Sequence, residues 1–193
     1  LATAPLATGG VLRLKRRGAE FSIMLGSNEL MNSRLSGSEK ALASLSLASF
    51  AAHATPSVLI GGLGMGFTLR AALQELGPGA RVVVAELVPE VIDWARGSMA
   101  DLFGVSLDDP RVRIARADVA DLICPAAAGH HHQTSEGPMW DAILLDVDNG
   151  PDGLTQSAND WLYSAAGLAA AHASLRAGGV LGVWSAHPDA GFH

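Results

Sequence analysis

Residues Val58–Gly66 read VLIGGLGMG and are followed by FTLRAALQEL. The segment starts as an apolar run, breaks at Gly61, Gly62, Gly64 and Gly66, and resumes with residues that favour a helix. An apolar run closed by glycines reads as a buried strand, so the glycines fall in a strand-to-helix turn. A tight turn of this kind asks for positive φ, and glycine lets the backbone approach a ligand with no Cβ in the way. The helix start adds free N–H groups and the positive end of a dipole. The turn is therefore a candidate ligand cradle.

Downstream of Pro56 the pattern alternates strand and helix. Strands are predicted at Val58–Ile60, Arg81–Ala85, Val112–Ala115, Ala142–Leu145 and Val180–Trp184. Helices are predicted at Phe67–Leu76, Pro89–Gly97, Val119–Ile123 and Asp160–Leu175. Such alternation specifies an α/β fold with a doubly wound, mostly parallel, Rossmann-like sheet covered on both faces. The runs RVVVAEL and DAILLDV suit strands buried on both sides. Residues 125–138 form a low-complexity connection that holds His130, His131 and His132. Adjacent histidines lack the spacing of a built metal site, so no metal is expected.

Upstream, VLRLKRR, EFSIML and ELM between Val11 and Met31 alternate like a small antiparallel β unit. The expected organisation is an N-terminal β unit over residues 1–35 and a nucleoside-binding domain over 36–193, with further C-terminal strands expected beyond the given chain. Ser36 and Glu39 have capping-box spacing, and a helix is predicted from Ser38 to His53 with Leu42, Leu45, Leu47 and Phe50 on its apolar face.

Composition narrows the function classes. Of the 193 residues, 49% are hydrophobic and 17% charged, as in a globular protein. A net charge of −6 argues against a nucleic-acid partner. The basic cluster Arg13–Arg17 reads as a solvated strand edge. The lone Cys124 excludes an intramolecular disulfide, fits a reducing, cytoplasmic setting and reads as a loop or packing residue. The apolar stretch Trp161–Trp184 is interrupted by His172, Arg176 and Gly178-Gly179, so no membrane span is expected.

Acidic residues follow the next three strands at Glu86, Asp118 and Asp146. In open parallel sheets ligands bind at the carboxyl ends of the strands. The bland alternative is helix N-capping by Asp118 and Asp146. The spacing G-x-G-x-G, with Phe67 where a third dinucleotide-fingerprint glycine would stand, fits a dinucleotide poorly, and no Gly-Lys-Ser/Thr follows for a P-loop. Glycines with carboxylates suit an uncharged or cationic adenosine ligand: Glu86 would accept from the ribose hydroxyls and Asp118 from the adenine amino group. A sulfonium such as S-adenosylmethionine has that character. Trp94, Trp140 and Trp161 are weighed as stacking partners against core packing, and His187 as a site residue against a surface one.

VLIGGLGMG, AELVPEVIDWAR, DPRVRIARADVADL, WDAILLDVDNGP and LRAGGVL together resemble the class I methyltransferase fold in its spermidine synthase (polyamine aminopropyltransferase) branch. The resemblance runs from about Val11 to Trp184, and the ELMNSRLSGSEKALA segment is similar to short bacterial members. It implies a glycine loop of Gly61, Gly62, Leu63, Gly64 and Gly66, a ribose carboxylate at Glu86 beside Leu87, and an adenine-binding Asp118 beside Val119. It also implies a general base at Asp146, a role in polyamine biosynthesis and no metal. The co-substrate would be decarboxylated S-adenosylmethionine or S-adenosylmethionine, the partner a small-molecule amine or other nucleophile, and the assembly a homodimer.

Three positions depart from that pattern. Gly64 stands where the family's loop carries an aspartate, Asn149 stands where it has a second one, and Tyr163 is the sole tyrosine. Asp148 or Asp152 would be the compensating carboxylates. Three readings stay open: aminopropyl transfer, methyl transfer to a small molecule, and a non-catalytic nucleoside-binding homologue.

Overall fold

The computed structural model describes residues 2–6, 9–124, 140–147 and 160–185. It opens with an antiparallel sheet of four strands, β1 (Ala2–Pro5), β2 (Val11–Arg17), β3 (Glu20–Leu25) and β4 (Asn28–Asn32), in the order β1-β2-β3-β4. The three alternating runs become β2, β3 and β4. Strand β1 carries only a weak signal, because its inward residues Ala2 and Ala4 are small; as an edge strand it tolerates Pro5, which pairs with Val11. Along β2, Leu12 and Leu14 are buried while Arg13, Lys15 and Arg17 face solvent. Because β2 lies between β1 and β3, the basic cluster belongs to the wet face of an inner strand and not to a sheet edge.

The linking helix α1 covers Gly37–Leu47 and is continued by a 3₁₀ turn over Ala48–Phe50. The expected capping box does not form. Ser36 is outside the extended cap conformation (φ −152°, ψ 12°) and makes no side-chain cap bond, while Ser38 Oγ donates to Glu39 Oε2 at 2.8 Å. Leu45 is 80% exposed, and Ala43, Ser46 and Leu47 form the buried line in its place.

Helices α2 (Phe67–Glu75), α3 (Pro89–Arg96), α4 (Ala100–Phe103) and α5 (Val119–Ile123) then alternate with β5 (Ser57–Gly61), β6 (Arg81–Glu86) and β7 (Val112–Arg116). Strand β8 (Trp140–Leu145), helices α6 (Asp160–Tyr163) and α7 (Ala165–Ser174) and strand β9 (Leu175–Val183) follow. The single helix expected over Asp160–Leu175 is broken at Ser164, which adopts extended backbone and caps α7 by accepting from Gly167 N at 3.1 Å. Strand β9 begins at Leu175 rather than Val180, with an irregular register where β8 passes from Trp140 to Ala142.

The five parallel strands lie in the order β7-β6-β5-β8-β9. Side-chain alternation gives this sheet two cores. Val58, Ile60, Val82, Val84, Ala142 and Leu144 face one, together with the inner face of the N-terminal sheet. Leu59, Val83, Ala85, Ile143 and Leu145 face the other, with α5, α6 and α7. At the amino ends of the strands, the buried Asp141 accepts from Ser57 N at 2.7 Å and from Arg176 Nη1 at 2.6 Å, which ties β5, β8 and β9 together. The chain winds outward from β5 through β7, then returns to the other side of β5 to lay down β8. The reversal of order between β5 and β8 is a topological switch point, where open α/β sheets open a crevice. Among the described residues no helix is long and apolar enough to cross a membrane.

Candidate functional site

The glycine turn sits at that switch point. Gly62 has φ +90° and donates its N–H to Ala85 O at 2.8 Å, and a Cβ there would overlap the backbone carbonyl oxygen of Asp146. A Cβ on Gly64 would stand 2.6 Å from Met31 Cε, and one on Gly66 would run into the Phe103 ring. Close approach of a ligand is the role expected of these glycines from the sequence. In the folded chain the space beside them is taken by β8, by β4 and by α4.

Glu86 closes β6 and is buried. Its Oε2 accepts from Leu63 N at 3.0 Å and its Oε1 from Val88 N at 2.8 Å. Burial pushes its carboxyl above the usual range, against the pull of the Val88, Leu63, Gly64 and Leu87 amides. Each oxygen has a second lone pair for a further donor. Asp118 follows β7 and does cap α5, accepting from Ala120 N at 2.9 Å through Oδ1. The capping alternative thus holds for this residue, which also borders the cleft.

Asp146 follows β8, caps no described helix, and accepts from Thr68 Oγ1 of α2 at 2.5 Å. Burial raises its carboxyl from 3.8 to about 6; the Thr68 hydrogen bond opposes this and the nearby Glu39 charge adds to it. Since the folded state holds this proton more tightly than the unfolded chain, stability contributed by the protonated form is lost as pH rises from about 3.8 to about 6. Asp146→Asn has no such titration. Its melting temperature is therefore expected to gain on the wild type across that window and to run parallel above it; a difference independent of pH contradicts the burial of Asp146.

These groups border one cleft with a cavity volume of about 340 Å³, the size of a small-ligand pocket. Gly62, Gly64 and Glu86 line it, as do Leu87, Asp118, Val119 and Asp146. Gly61, Leu63 and Gly66 stand behind that lining; Leu63 contributes through the amide it offers Glu86. Of the tryptophans weighed above, Trp94 and Trp140 are buried in the cores and Trp161 packs against one of them. Tyr163 is buried and donates to Val147 O at 3.2 Å.

Glu39 and Trp184 are among the lining groups that sequence reasoning missed. Glu39 borders the cleft from α1, although its spacing from Ser36 had assigned it to a cap. Trp184 stands at the end of β9, where the strand-end rule applied to a fifth strand would have found it; its buried Nε1 has no acceptor among the described residues. His130, His131, His132, Asp148, Asn149, Asp152 and His187 lie outside the described residues. Among the described residues no group of three or more His, Cys, Asp or Glu is arranged to hold a metal ion. Cys124 is partly buried just after α5, where its N–H donates to Ala120 O.

No family model and no curated protein sequence matches the chain. Among solved structures it is similar to a spermidine synthase from Thermotoga maritima, with a TM-score of 0.67 and 18% identity over 91% of this chain and 53% of the other. The chain has a spermidine synthase-like class I methyltransferase fold. A spermidine synthase in complex with the transition-state analogue AdoDATO has a TM-score of 0.66 at 18% identity, covering 91% of this chain and 52% of the other. Human methyltransferase-like protein 13 in complex with SAH has a TM-score of 0.53 at 22% identity, covering 76% and 63%. The chain spans about half the length of the spermidine synthases it matches. In this spermidine synthase-like fold the four-stranded N-terminal sheet stands over the cleft and supplies one of its walls through Leu12, Ile23, Leu30 and Met31.

Proposed function

We propose that the protein binds an adenosyl sulfonium in this cleft and transfers an aminopropyl group from decarboxylated S-adenosylmethionine to an amine. The observation that carries the reading is the meeting of Gly62, Glu86, Asp118 and Asp146, from the ends of four neighbouring parallel strands, around one cavity. Glu86 would hold the ribose hydroxyls and Asp118 the adenine amino group. The adenosyl ligands AdoDATO and SAH of two proteins with this fold support the ligand class.

Asp146 would do the proton chemistry. The acceptor ammonium first gives up a proton to the Asp146 carboxylate. The freed lone pair of the nitrogen then forms a bond to the carbon beside sulfur, the carbon–sulfur bond breaks with its electron pair going to sulfur, and methylthioadenosine leaves; the acidic site faces the positive charge that returns to nitrogen. A carboxyl raised to about 6 is a better base than an ordinary aspartate and still ionised at neutral pH.

Methyl transfer is favoured by one observation, the absence of a side chain at Gly64, which puts no carboxylate from the loop opposite the methionine end of the ligand. Calorimetric titration with decarboxylated S-adenosylmethionine, S-adenosylmethionine and methylthioadenosine separates the two. Tighter binding of the decarboxylated form is expected. Tighter binding of the carboxylated form would transfer the assignment to methyl transfer, and equal affinities without turnover would leave a nucleoside-binding protein.

A further inference from the structure

The acceptor side of the cleft differs in chemistry from its nucleoside side. Glu86 and Asp118 are partnered by backbone N–H groups, whereas the partners found for Glu39 and Asp146 are neutral hydroxyls, Ser38 at 2.8 Å and Thr68 at 2.5 Å. Glu39 and Asp146 border the same cavity, and the charge of one acts on the other. Among the described residues lining the cleft there is no Lys, Arg or His to neutralise them. Two carboxylates with no cation between them fit a bound cation, because charge-assisted hydrogen bonds are the strong ones.

The surface beyond this pair is mainly apolar, and the one amide among its described residues, Asn32, is engaged with the Arg34 and Leu35 N–H groups and with Glu29. Met31 fills the space above Gly64, where the resemblance would place a carboxylate, and Leu30 and Leu35 extend the wall to the cleft mouth, where Leu35 is 71% exposed. Glu29, the acidic residue of β4, is engaged elsewhere with Ser22, Asn32 and Arg34. A second ammonium laid along this wall would lose hydration and meet no carboxylate among the described residues in exchange, whereas a hydrocarbon chain gains by burial.

We propose that Glu39 and Asp146 together take the ammonium of a monoamine acceptor whose apolar body lies against Leu30, Met31 and Leu35. The inference rests on the transferase reading above and narrows its acceptor: an alkylamine rather than a diamine or polyamine. Glu39 supplies, from α1, the second carboxylate that the glycine loop lacks at Gly64.

The test is calorimetry on the full chain saturated with methylthioadenosine, titrated with hexylamine, 1,5-diaminopentane and hexanol, which are equal in number of heavy atoms. Hexylamine is expected to bind about 10-fold tighter than either of the others. Glu39→Gln is expected to weaken hexylamine about 10-fold, with methylthioadenosine binding as the control for a folded site. Leu35→Asp, at an exposed position, is expected to bring the diamine level with hexylamine. A wild type that prefers the diamine, or a Glu39→Gln variant that binds hexylamine as before, overturns the acceptor assignment while the nucleoside reading stands. Failure of methylthioadenosine itself to bind in the first titration overturns both.

Discussion

Gly62→Ala is expected to lower the melting temperature by about 10 °C, from a loss of about 4 kcal/mol, and to abolish nucleoside binding. Two causes act together. Gly62 holds φ +90°, where any side chain is strained by about 1–2 kcal/mol. The added Cβ would also overlap the carbonyl oxygen of Asp146, and since that atom is backbone it has no rotamer by which to escape. The carbonyl can retreat only if the end of β8 moves off β5, which strains the bond from Asp146 N to Gly61 O at 2.9 Å. The site base and the glycine turn would separate. Gly77→Ala is the control, because a Cβ there meets nothing within 4 Å and its φ is not positive. Thermal unfolding followed by circular dichroism checks both; equal, small shifts for the two variants contradict the close packing of the turn.

Glu86→Ala is expected to weaken nucleoside binding at least about 100-fold, some 2.7 kcal/mol. The carboxylate has two tasks that alanine cannot share between them. It is the acceptor for the Leu63 and Val88 amides, and so sets the turn after β5 and the start of the loop before α3. Its remaining lone pairs are those a ribose diol would use. Binding of methylthioadenosine, measured beside the melting curve, separates loss of the ligand contact from loss of the fold. An unchanged affinity removes the ribose assignment from Glu86.

The parallel sheet was legible because its central strands β5, β6 and β8 are buried on both faces. RVVVAEL and DAILLDV can only be strands covered twice, and the glycines after Ile60 mark the turn. The candidate carboxylates were legible for a related reason: strand ends are short, and an acidic residue there has few places to go. The reason for the glycines was not legible. Whether a missing Cβ makes room for a ligand or for Met31, Phe103 and the Asp146 carbonyl depends on contacts distant in sequence. Glu39 was hidden because a capping box and a cleft-lining residue have the same spacing, and what decides between them is the backbone angle at Ser36. Strand β1 was hidden because its inward residues, Ala2 and Ala4, are too small to stand out as an apolar line, while its neighbour β2 supplies Leu12 and Leu14 to the core.

The most direct measurement is the position of methylthioadenosine diffused into crystals of the protein. The expected density lies in the cleft, with the ribose hydroxyls within hydrogen-bonding distance of Glu86, the adenine amino group toward Asp118 and the sulfur on the side of Asp146. Density elsewhere on the molecule, or an empty cleft at a saturating concentration, would contradict the assignment of this site to an adenosyl ligand.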